Sequence, residues 1–194
     1  MKSIFFKRIG AYLFDFIFIT FIVSLITVNF KVNTNVVKEV NDLINNVNKE
    51  EISIDDYSNK IVKINYDYQK SIVSITIVNV IISFIYFVIF ATLNKGQTLG
   101  KKIFKIRVVN KDKERPSIWN MLIRSIFLYG MLINISSIIC VYCFDYNIYN
   151  YIFSVTEYIC YLFVIICFFM VIKRKDGRGL HDLMSKTSVI GEVR

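Results

Sequence analysis

The stretch Lys7-Arg8-Ile9-Gly10-Ala11-Tyr12-Leu13-Phe14-Asp15-Phe16-Ile17 opens an apolar run that continues to about Asn29. An apolar run of roughly 20 residues is long enough to cross the roughly 30 Å hydrocarbon core of a bilayer. Arg8 stands at the start of the run, and Asp15 follows seven residues later among hydrocarbon side chains. Because an ionisable group inside a membrane span is costly, it usually has a partner. The stretch therefore predicts a first span with a carboxylate that the rest of the chain must accommodate.

Three further apolar runs have the length of a membrane span. The predicted spans are residues 9–29, 71–93, 118–142 and 149–172. Hydrophobic residues make up 55% of the 194-residue chain, which is more than an ordinary soluble domain contains. We expect one all-α membrane domain over residues 1–194, built as a four-helix transmembrane bundle.

The distribution of charge predicts how the bundle is oriented. Residues 94–117 carry eight Lys and Arg against two acidic residues, and the tail of residues 173–194 carries six against three. Residues 30–70 instead carry six Lys against seven acidic residues. Because Lys and Arg favour cytoplasmic flanks, we expect both termini and the loop of residues 94–117 to be cytoplasmic, with the protein in the cell membrane. The net charge of +9 then indicates topology and attraction to anionic lipid headgroups, not nucleic-acid binding.

The segment between the first two spans contains two helix signals. Apolar residues recur at helical spacing over residues 35–48, which predicts an amphipathic helix. Ser53-Ile54-Asp55-Asp56 has the form of a capping box, so a second helix is expected to begin there and run into the second span. Residues 30–70 are therefore predicted to form a helical insertion on the outer face. It is either a cap on the bundle or an extracytoplasmic binding surface.

Two short stretches on the predicted cytoplasmic side have strand character. Residues 104–108 alternate apolar and basic side chains, and residues 187–193 are the other strand-like stretch. The simplest arrangement pairs the two strands with each other. Such a pair would tie the C-terminal tail to the loop of residues 94–117.

Asp15 and Arg124 lie at matching depths in the first and third predicted spans, each about seven residues from the cytoplasmic side. An ion pair between them would relieve the cost of two charges in hydrocarbon, with Ser83 and Tyr86 as further polar neighbours. Arg8 lies roughly 10 Å from Asp15 along the helix and is expected to stay at the headgroups. The Asp15–Arg124 pair would either fix the register of the helices or take part in ion or proton transport.

Glu157 is the second acidic residue inside a predicted span. Counting along the helices places it near the level of Asn79 and Ser24, with Asn134 slightly higher. These side chains would form a second polar layer above Asp15. The two layers are either an ion path through Asp15, Glu157 and Asn79 or two packing layers.

The chain has four cysteines and one histidine, and their placement argues against a metal site. Cys140-Val141-Tyr142-Cys143 lies near the outer end of the third span, whereas His181 lies on the opposite side. Zinc needs about four ligands in one place. We expect no metal and treat Cys140, Cys143, Cys160 and Cys167 as small apolar side chains, because buried cysteines are unreactive.

Catalytic motifs are also missing from the sequence. His181-Asp182 has Ser185 nearby, but no nucleophile elbow surrounds that serine. The Gly96-x-x-x-Gly100-Lys101 stretch is one residue short of a phosphate-binding loop, so we interpret it as a turn at the membrane surface. We expect no enzyme and no cofactor. Asp182 is expected instead to accept backbone N–H bonds or an arginine of the loop of residues 94–117, and so to anchor the tail beneath the bundle.

Three blocks of the sequence resemble the RDD family of bacterial membrane proteins, which is named for an arginine and two aspartates. The blocks are Arg8-x-x-Ala11-x-x-x-Asp15; Gly96-Gln97-Thr98-Leu99-Gly100-Lys101-Lys102-Ile103 with Ile106-Arg107-Val108-Val109 and Arg124 downstream; and Gly179-Leu180-His181-Asp182-Leu183 with Thr187. By this resemblance, Arg8, Asp15 and Asp182 are the signature residues. The resemblance implies a multi-span membrane protein and no particular reaction. Transport is the role usually suspected for the family.

Two functional hypotheses follow. The first is transport of small ions or solutes through the bundle, in a homo-oligomer because four helices are few for a translocation path. The second is a non-catalytic scaffold or regulatory subunit of another membrane protein. Water access to Asp15 and Glu157 would favour transport, and a dry arrangement would favour the scaffold.

Overall fold

A computed structural model of the chain describes residues 2–32, 35–48 and 53–191. Its elements are mostly helices, with two short strands at one end. In chain order they are α1 (Lys2–Thr27), α2 (Val36–Asn48), α3 (Ile54–Phe84), a π-helical segment (Ile85–Phe90), α4 (Ala91–Leu93), α5 (Leu99–Ile103), β1 (Ile106–Asn110), α6 (Ile118–Leu128), α7 (Met131–Cys143), α8 (Tyr146–Lys173), α9 (Leu180–Met184) and β2 (Thr187–Gly191).

Three helices in the described part of the chain are long and apolar enough to cross a membrane. They are Ile4–Thr27, Asp56–Leu93 and Tyr146–Lys173. Many of their apolar side chains are exposed on the surface of the protein, for example Ile17 and Leu162. Exposed hydrocarbon over the full length of a helix fits a lipid environment better than water. The predicted first, second and fourth spans correspond to these helices.

The third predicted span is not a continuous helix. α6 and α7 meet at an angle of 74°, so they form either one broken span or a re-entrant pair. The chain turns at Gly130, whose φ of 69° lies in the left-handed region that glycine adopts at little cost. The predicted third span, residues 118–142, is therefore not one continuous helix, although the bent pair can still be a single broken span. Apolar composition alone did not reveal that Gly130 interrupts the run.

The helical insertion between the first two spans is confirmed. α2 covers Val36–Asn48 and buries Leu43, and α3 begins where the capping signal predicted. The Ser53 hydroxyl accepts the backbone N–H of Asp56 at 3.1 Å, which satisfies one of the free donors at the start of α3. α3 then runs without interruption into the membrane-spanning part of the same helix. The insertion therefore continues a span instead of forming a separate domain.

The predicted strand pair is also confirmed. β1 and β2 are antiparallel, with Val108 opposite Val189 in the register. β1 starts at Ile106, two residues later than predicted, because the preceding residue, Lys105, has a φ of 54° that breaks the extended conformation. The last predicted strand residues, 192–193, lie outside the described part of the chain. The strands join residues 94–117 to the tail, as expected.

One end of the bundle, which we call the basic end, contains the start of α1, residues 94–117 and residues 173–191. A single apolar cluster holds these parts together. Its buried members come from α1, the end of the second span, both strands and α6: Ala11, Val88, Ala91, Ile106, Val108, Met121 and Val189. The loop and the tail are therefore packed into the membrane domain and do not hang from it.

Gly96 offers a test of how tightly the basic end is packed. Its φ is +82°, and a Cβ added there would lie 2.1 Å from the Val108 carbonyl oxygen. Gly96→Ala should therefore lower the thermal unfolding midpoint in detergent strongly, because a backbone clash is added to a left-handed conformation that costs an alanine about 1–2 kcal/mol. Midpoints are read from the loss of helical signal on heating.

Two other glycines separate the cost of the backbone clash from the cost of the left-handed conformation. A Cβ at Gly177 meets nothing within 4 Å, but its φ is +62°, so Gly177→Ala reports the conformational cost alone. A Cβ at Gly191 also meets nothing and needs no unusual φ, so Gly191→Ala should behave as wild type. A Gly96→Ala midpoint equal to that of Gly177→Ala would show that the loop is not packed against β1 as described.

Candidate functional site

Asp182 lies at the centre of the basic end and joins three parts of the chain. Its side chain is fully buried; Oδ2 accepts from Arg8 Nη1 at 3.0 Å, and Oδ1 accepts from Arg124 Nη1. The backbone N–H of Gly179 also donates to Oδ2, at 3.1 Å. That bond follows from local structure, because Gly179 is the N-cap of α9 and Asp182 is the third residue of that helix. Asp182 therefore anchors the tail, but its arginine partners come from α1 and α6 and not from the loop of residues 94–117.

The electrostatics of Asp182 favour the ionised form. Burial by itself raises the pKa of this carboxyl group, but the adjacent positive charges of Arg124 and Arg8 outweigh it and hold the pKa well below its usual range. The carboxylate is therefore charged at neutral pH, and each oxygen faces one guanidinium. Arg124 is further held by the Thr187 hydroxyl, 3.3 Å from Nη1. Arg8, which we expected at the headgroups, instead turns inward to this carboxylate.

The predicted ion pair between Asp15 and Arg124 is wrong. Asp15 is buried, but uncharged groups satisfy it: the Tyr86 hydroxyl donates to Oδ1 at 2.6 Å, the Thr98 hydroxyl to Oδ2 at 2.5 Å, and the Gly100 N–H to Oδ1 at 2.8 Å. Matching depth did not produce a pair because the first turn of α5 reaches Asp15. The free N–H groups at the start of a helix are natural donors to a carboxylate.

Gly100 explains how α5 comes so close to α1. A Cβ at this position would lie 2.4 Å from the Ala11 carbonyl oxygen and 2.8 Å from Asp15 Oδ1. Only glycine leaves room for the amide to reach the carboxylate. The glycine-containing turn that the sequence places at the membrane surface therefore serves to hold Asp15.

Tyr86 is hydrogen-bonded to Asp15, as predicted, whereas the described hydrogen bonds do not join Ser83 to Asp15. The Tyr86 hydroxyl donates to Asp15 and accepts the Leu99 N–H at 3.0 Å, so it links the second span to α5. It belongs to the π-helical segment, a kind of helix irregularity that often occurs at functional sites. Ser83 donates instead to Asn79, at 3.3 Å.

Lys101 is a buried cation with no carboxylate partner among the described residues. Its side chain is 5% exposed, and Nζ donates to the Tyr129 hydroxyl at 3.1 Å. Burial, reinforced by the charge of Arg124, lowers the pKa of Lys101 to about 7. Lys101 therefore changes its charge in the physiological range, unlike an exposed lysine.

A cavity of about 240 Å³ adjoins this cluster, and we call it the inner cavity. Four of its lining residues, Arg8, Lys101, Arg124 and His181, carry nitrogen donors or a titratable ring. The remainder of its wall is aromatic or apolar: Phe5, Ile9, Tyr12, Ile106, Leu128, Tyr129, Val164, Cys167, Phe168, Val171 and Val189. A few polar groups in an apolar wall are typical of small-molecule sites.

His181 contributes to the cavity as a neutral ring. Burial, together with the charge of Arg124, lowers its pKa to about 3. Its Nδ1 lies 3.3 Å from the Cys167 sulfur, which fixes the tail against α8. The Ser185 hydroxyl donates to the His181 carbonyl oxygen at 2.7 Å and lies 2.8 Å from the Thr187 hydroxyl. These contacts stabilise the turn between α9 and β2.

The four cysteines are all free thiols. Cys140, Cys160 and Cys167 are buried, and Cys143 is exposed. Within the part of the chain that the structure describes, no group of three or more His, Cys, Asp and Glu side chains could hold a metal ion.

The second predicted polar layer is not connected by hydrogen bonds. Glu157 accepts from the Tyr161 hydroxyl at 2.8 Å on its own helix, and Asn79 accepts from Ser83. Ser24 donates to the carbonyl oxygen of Phe21, also on its own helix. Over the described ranges, no hydrogen bond joins Glu157 to Asn79 or either of them to Asp15. The described hydrogen bonds therefore do not link these three side chains, and the ion path through them stays a prediction.

Sequence reasoning missed three members of the site. Thr98 and Thr187 contribute hydroxyl groups to Asp15 and Arg124, and Tyr129 contributes its hydroxyl to Lys101. Thr98 had a usable signal, because a threonine three residues before Lys101 can cap a short helix; its hydroxyl accepts the Lys101 N–H at 3.3 Å. Tyr129 had none, because its position depends on the bend between α6 and α7.

The shared carboxylate leads to a stability prediction. Asp182→Asn should lower the free energy of unfolding by about 3–5 kcal/mol, because it leaves the buried Arg124 and the partly buried Arg8 without a counter-charge. The matched control is Asp176→Asn, since Asp176 also bridges two arginines, Arg174 and Arg178, but on the exposed surface. Exposed ion pairs contribute little. Similar unfolding midpoints for the two variants in detergent would contradict the central position of Asp182.

Comparison with known proteins places the chain in a family. The profile of the RDD family matches residues 3–186, which include Arg8, Asp15 and Asp182. No curated protein and no solved structure gives a significant match. The match covers nearly the whole chain. The three residues that resemble the family signature all lie at the basic end. The chain therefore belongs to the RDD family of membrane proteins.

Proposed function

We propose that this protein transports a small ion or solute across the cell membrane and that the inner cavity is its solute site. The observation that carries the proposal is the charge around that cavity. Arg8, Lys101 and Arg124 supply three cations, whereas Asp15 and Asp182 supply two carboxylates. When Lys101 is protonated, one positive charge is left in a buried setting without an anion, which is costly unless an anion binds.

Two hydrogen-bond donors without partners support the proposal that the solute is an anion. The Nε atoms of Arg8 and Arg124 are buried and have no hydrogen-bond partner among the described residues. Both arginines line the inner cavity, and Arg124 is only 3% exposed. A buried donor left unpaired costs about 1–3 kcal/mol. A bound anion would satisfy these donors and the charge of Lys101 together.

This proposal replaces a cation path with an anion site. Asp15 is surrounded by donors and does not line the inner cavity, so it has no free lone pair aimed at a solute. Glu157 also does not line it. The buried carboxylates position Thr98, Tyr86 and the arginines, and the cations face the solute.

Lys101 would make binding depend on pH. Because its pKa is about 7, Lys101 is charged below pH 7 and increasingly neutral above it. Anion affinity should therefore be high at acidic pH and fall as the pH rises through about 7. Binding of an anion together with a proton is the basis of proton-coupled uptake or release.

We also propose how the protein is oriented in the membrane and that a second copy binds to it. The positive charges of the basic end put that end, and with it both termini, on the cytoplasmic side. Ile9, Tyr12, Val164 and Phe168 line the inner cavity and are each more than a third exposed, so the cavity lies towards the surface between α1 and α8. We propose that a second copy covers this surface, because three to four spans enclose little of a translocation path.

A non-catalytic scaffold or regulatory subunit is the second candidate. The enclosed state of Asp15 favours it, since a 1% exposed carboxylate with three donors acts as a fixed structural element. In this alternative the basic end and the outer helices would contact a membrane protein partner. Neither candidate is an enzyme, and neither uses a cofactor.

The test compares two neighbouring lysines on α5. Lys101 is buried and faces the inner cavity, whereas Lys102 is exposed. In proteoliposomes under an imposed pH gradient, we expect wild type and Lys102→Gln to move chloride, nitrate or acetate. Lys101→Gln should reduce this flux at least about tenfold, the equivalent of one charge-assisted hydrogen bond. Monodispersity on size exclusion serves as the folding control.

Two outcomes would contradict transport at this site. Equal flux by Lys101→Gln and Lys102→Gln would remove the inner cavity from the mechanism. No flux of these anions, protons or sodium by folded wild-type protein would favour the scaffold instead.

A further inference from the structure

A second cavity, which we call the interfacial groove, lies at the edge of the basic end. It has a volume of about 550 Å³ and separates the first two turns of α1 from the end of α8 and the turn after it. Its lining residues fall into an apolar group and a charged group. The apolar residues are Ile4, Phe5, Phe6, Val171, Ile172 and Val189, and the charged ones are Arg8, Lys173, Arg174, Lys175 and Asp176.

The charged group has a clear excess of positive charge. Asp176 is its one acidic residue, and Arg174 and Arg178 already hold that carboxylate, each at 2.9 Å. Lys173 and Lys175 are exposed and form no ion pair within the described part of the chain. Arg8 reaches the groove from the inside with Nη1 bound to Asp182 and Nε unpartnered. The groove therefore presents several cations and no available anion.

The apolar group lies where a lipid chain would run. Phe6 is 68% exposed and Ile172 is 52% exposed, and both belong to helices long enough to span a membrane. Lys173 is the last residue of α8, so a basic side chain directly follows the exposed hydrocarbon of Ile172 along the helix. A phospholipid has the complementary arrangement, because its anionic phosphate lies next to its acyl chains.

We propose that the interfacial groove binds the headgroup of one anionic phospholipid, with its acyl chains along Phe6 and Ile172. The phosphate lies among Lys173, Lys175 and Arg8, and the charge of each basic side chain near the surface adds to the attraction. The volume is within the range of small-molecule sites, about 300–1,000 Å³. The proposal does not depend on transport, because a scaffold would use the same groove.

Arg8 connects this groove to the rest of the basic end. It lines both the interfacial groove and the inner cavity, and it donates to Asp182. A lipid phosphate in the groove would place a second negative charge near a guanidinium that shares its carboxylate with Arg124. Occupancy of the groove should therefore stabilise the folded protein, since a ligand that binds only the folded state raises the unfolding midpoint.

The experiment measures the unfolding midpoint of the full-length protein in detergent against rising concentrations of short-chain phosphatidylglycerol. Phosphatidylcholine of the same chain length and inorganic phosphate are the comparison probes. We expect phosphatidylglycerol to raise the midpoint by several degrees and the other two to have little effect. The double variant Lys173→Gln/Lys175→Gln should need about tenfold or more phosphatidylglycerol for the same shift.

The control is Lys102→Gln/Lys111→Gln, which removes the same charge from exposed lysines of the basic end outside the groove. It should respond to phosphatidylglycerol as wild type does. An equal shift with phosphatidylcholine would overturn the headgroup assignment, and an equal shift with inorganic phosphate would overturn the need for acyl chains. Equal responses of the two double variants would overturn the location.

Native mass spectrometry gives a readout that does not depend on stability. Wild type and the control variant should retain one phosphatidylglycerol per chain, and Lys173→Gln/Lys175→Gln should retain none under the same conditions. Retention by both variants would also contradict the proposed groove. Because loss of transport would leave these lipid measurements unchanged, failure of one proposal can be told from failure of the other.

Discussion

Two arginines, the buried Arg124 and the partly buried Arg8, share the carboxylate of Asp182, and the arrangement of the basic end follows from that contact. Arg8 belongs to α1, Arg124 to α6 and Asp182 to the tail, so one side chain connects segments separated by up to 174 residues. Removing two guanidinium groups and a carboxylate from water is expensive, and the cost is recovered only if each charge has a well-placed partner. The tail therefore has to fold back under the bundle. The strand pair and the apolar cluster around Val108 then close the same end.

The other buried carboxylate is stabilised in a different way. Asp15 accepts two hydroxyl groups and one backbone N–H and faces no cation within ion-pair distance in the described ranges. This difference leaves Lys101 without a counter-charge at the wall of the inner cavity. The imbalance is the physical reason for proposing that an anion binds in that cavity. It also separates the contacts of the three residues that resemble the RDD signature, because Arg8 and Asp182 hold the tail and Asp15 holds α5.

Features that depend on local pattern were predictable from the sequence. Helical spacing, the Ser53 cap and the alternation around Ile106 correctly predicted α2, the start of α3 and the strand pair. The predictions were wrong where a contact depends on how the chain turns back on itself. Gly130 bends the third predicted span. The amide of Gly100 in α5 donates to Asp15, which takes the place of the Arg124 partner that matching depths had suggested. Depth along a helix gives one coordinate of a side chain, and the direction in which it faces depends on packing that the sequence does not show.

The measurement that most directly tests the central role of Asp182 is a double-mutant cycle with Arg124, read as unfolding free energy. Arg124→Gln should destabilise the wild-type protein, since it leaves the carboxylate with Arg8 alone. In an Asp182→Asn background the same substitution should be neutral or stabilising, because it then removes a buried charge that has lost its partner. The account predicts this reversal of sign. An equal loss of stability in both backgrounds would mean that the two side chains act independently, and it would contradict the account.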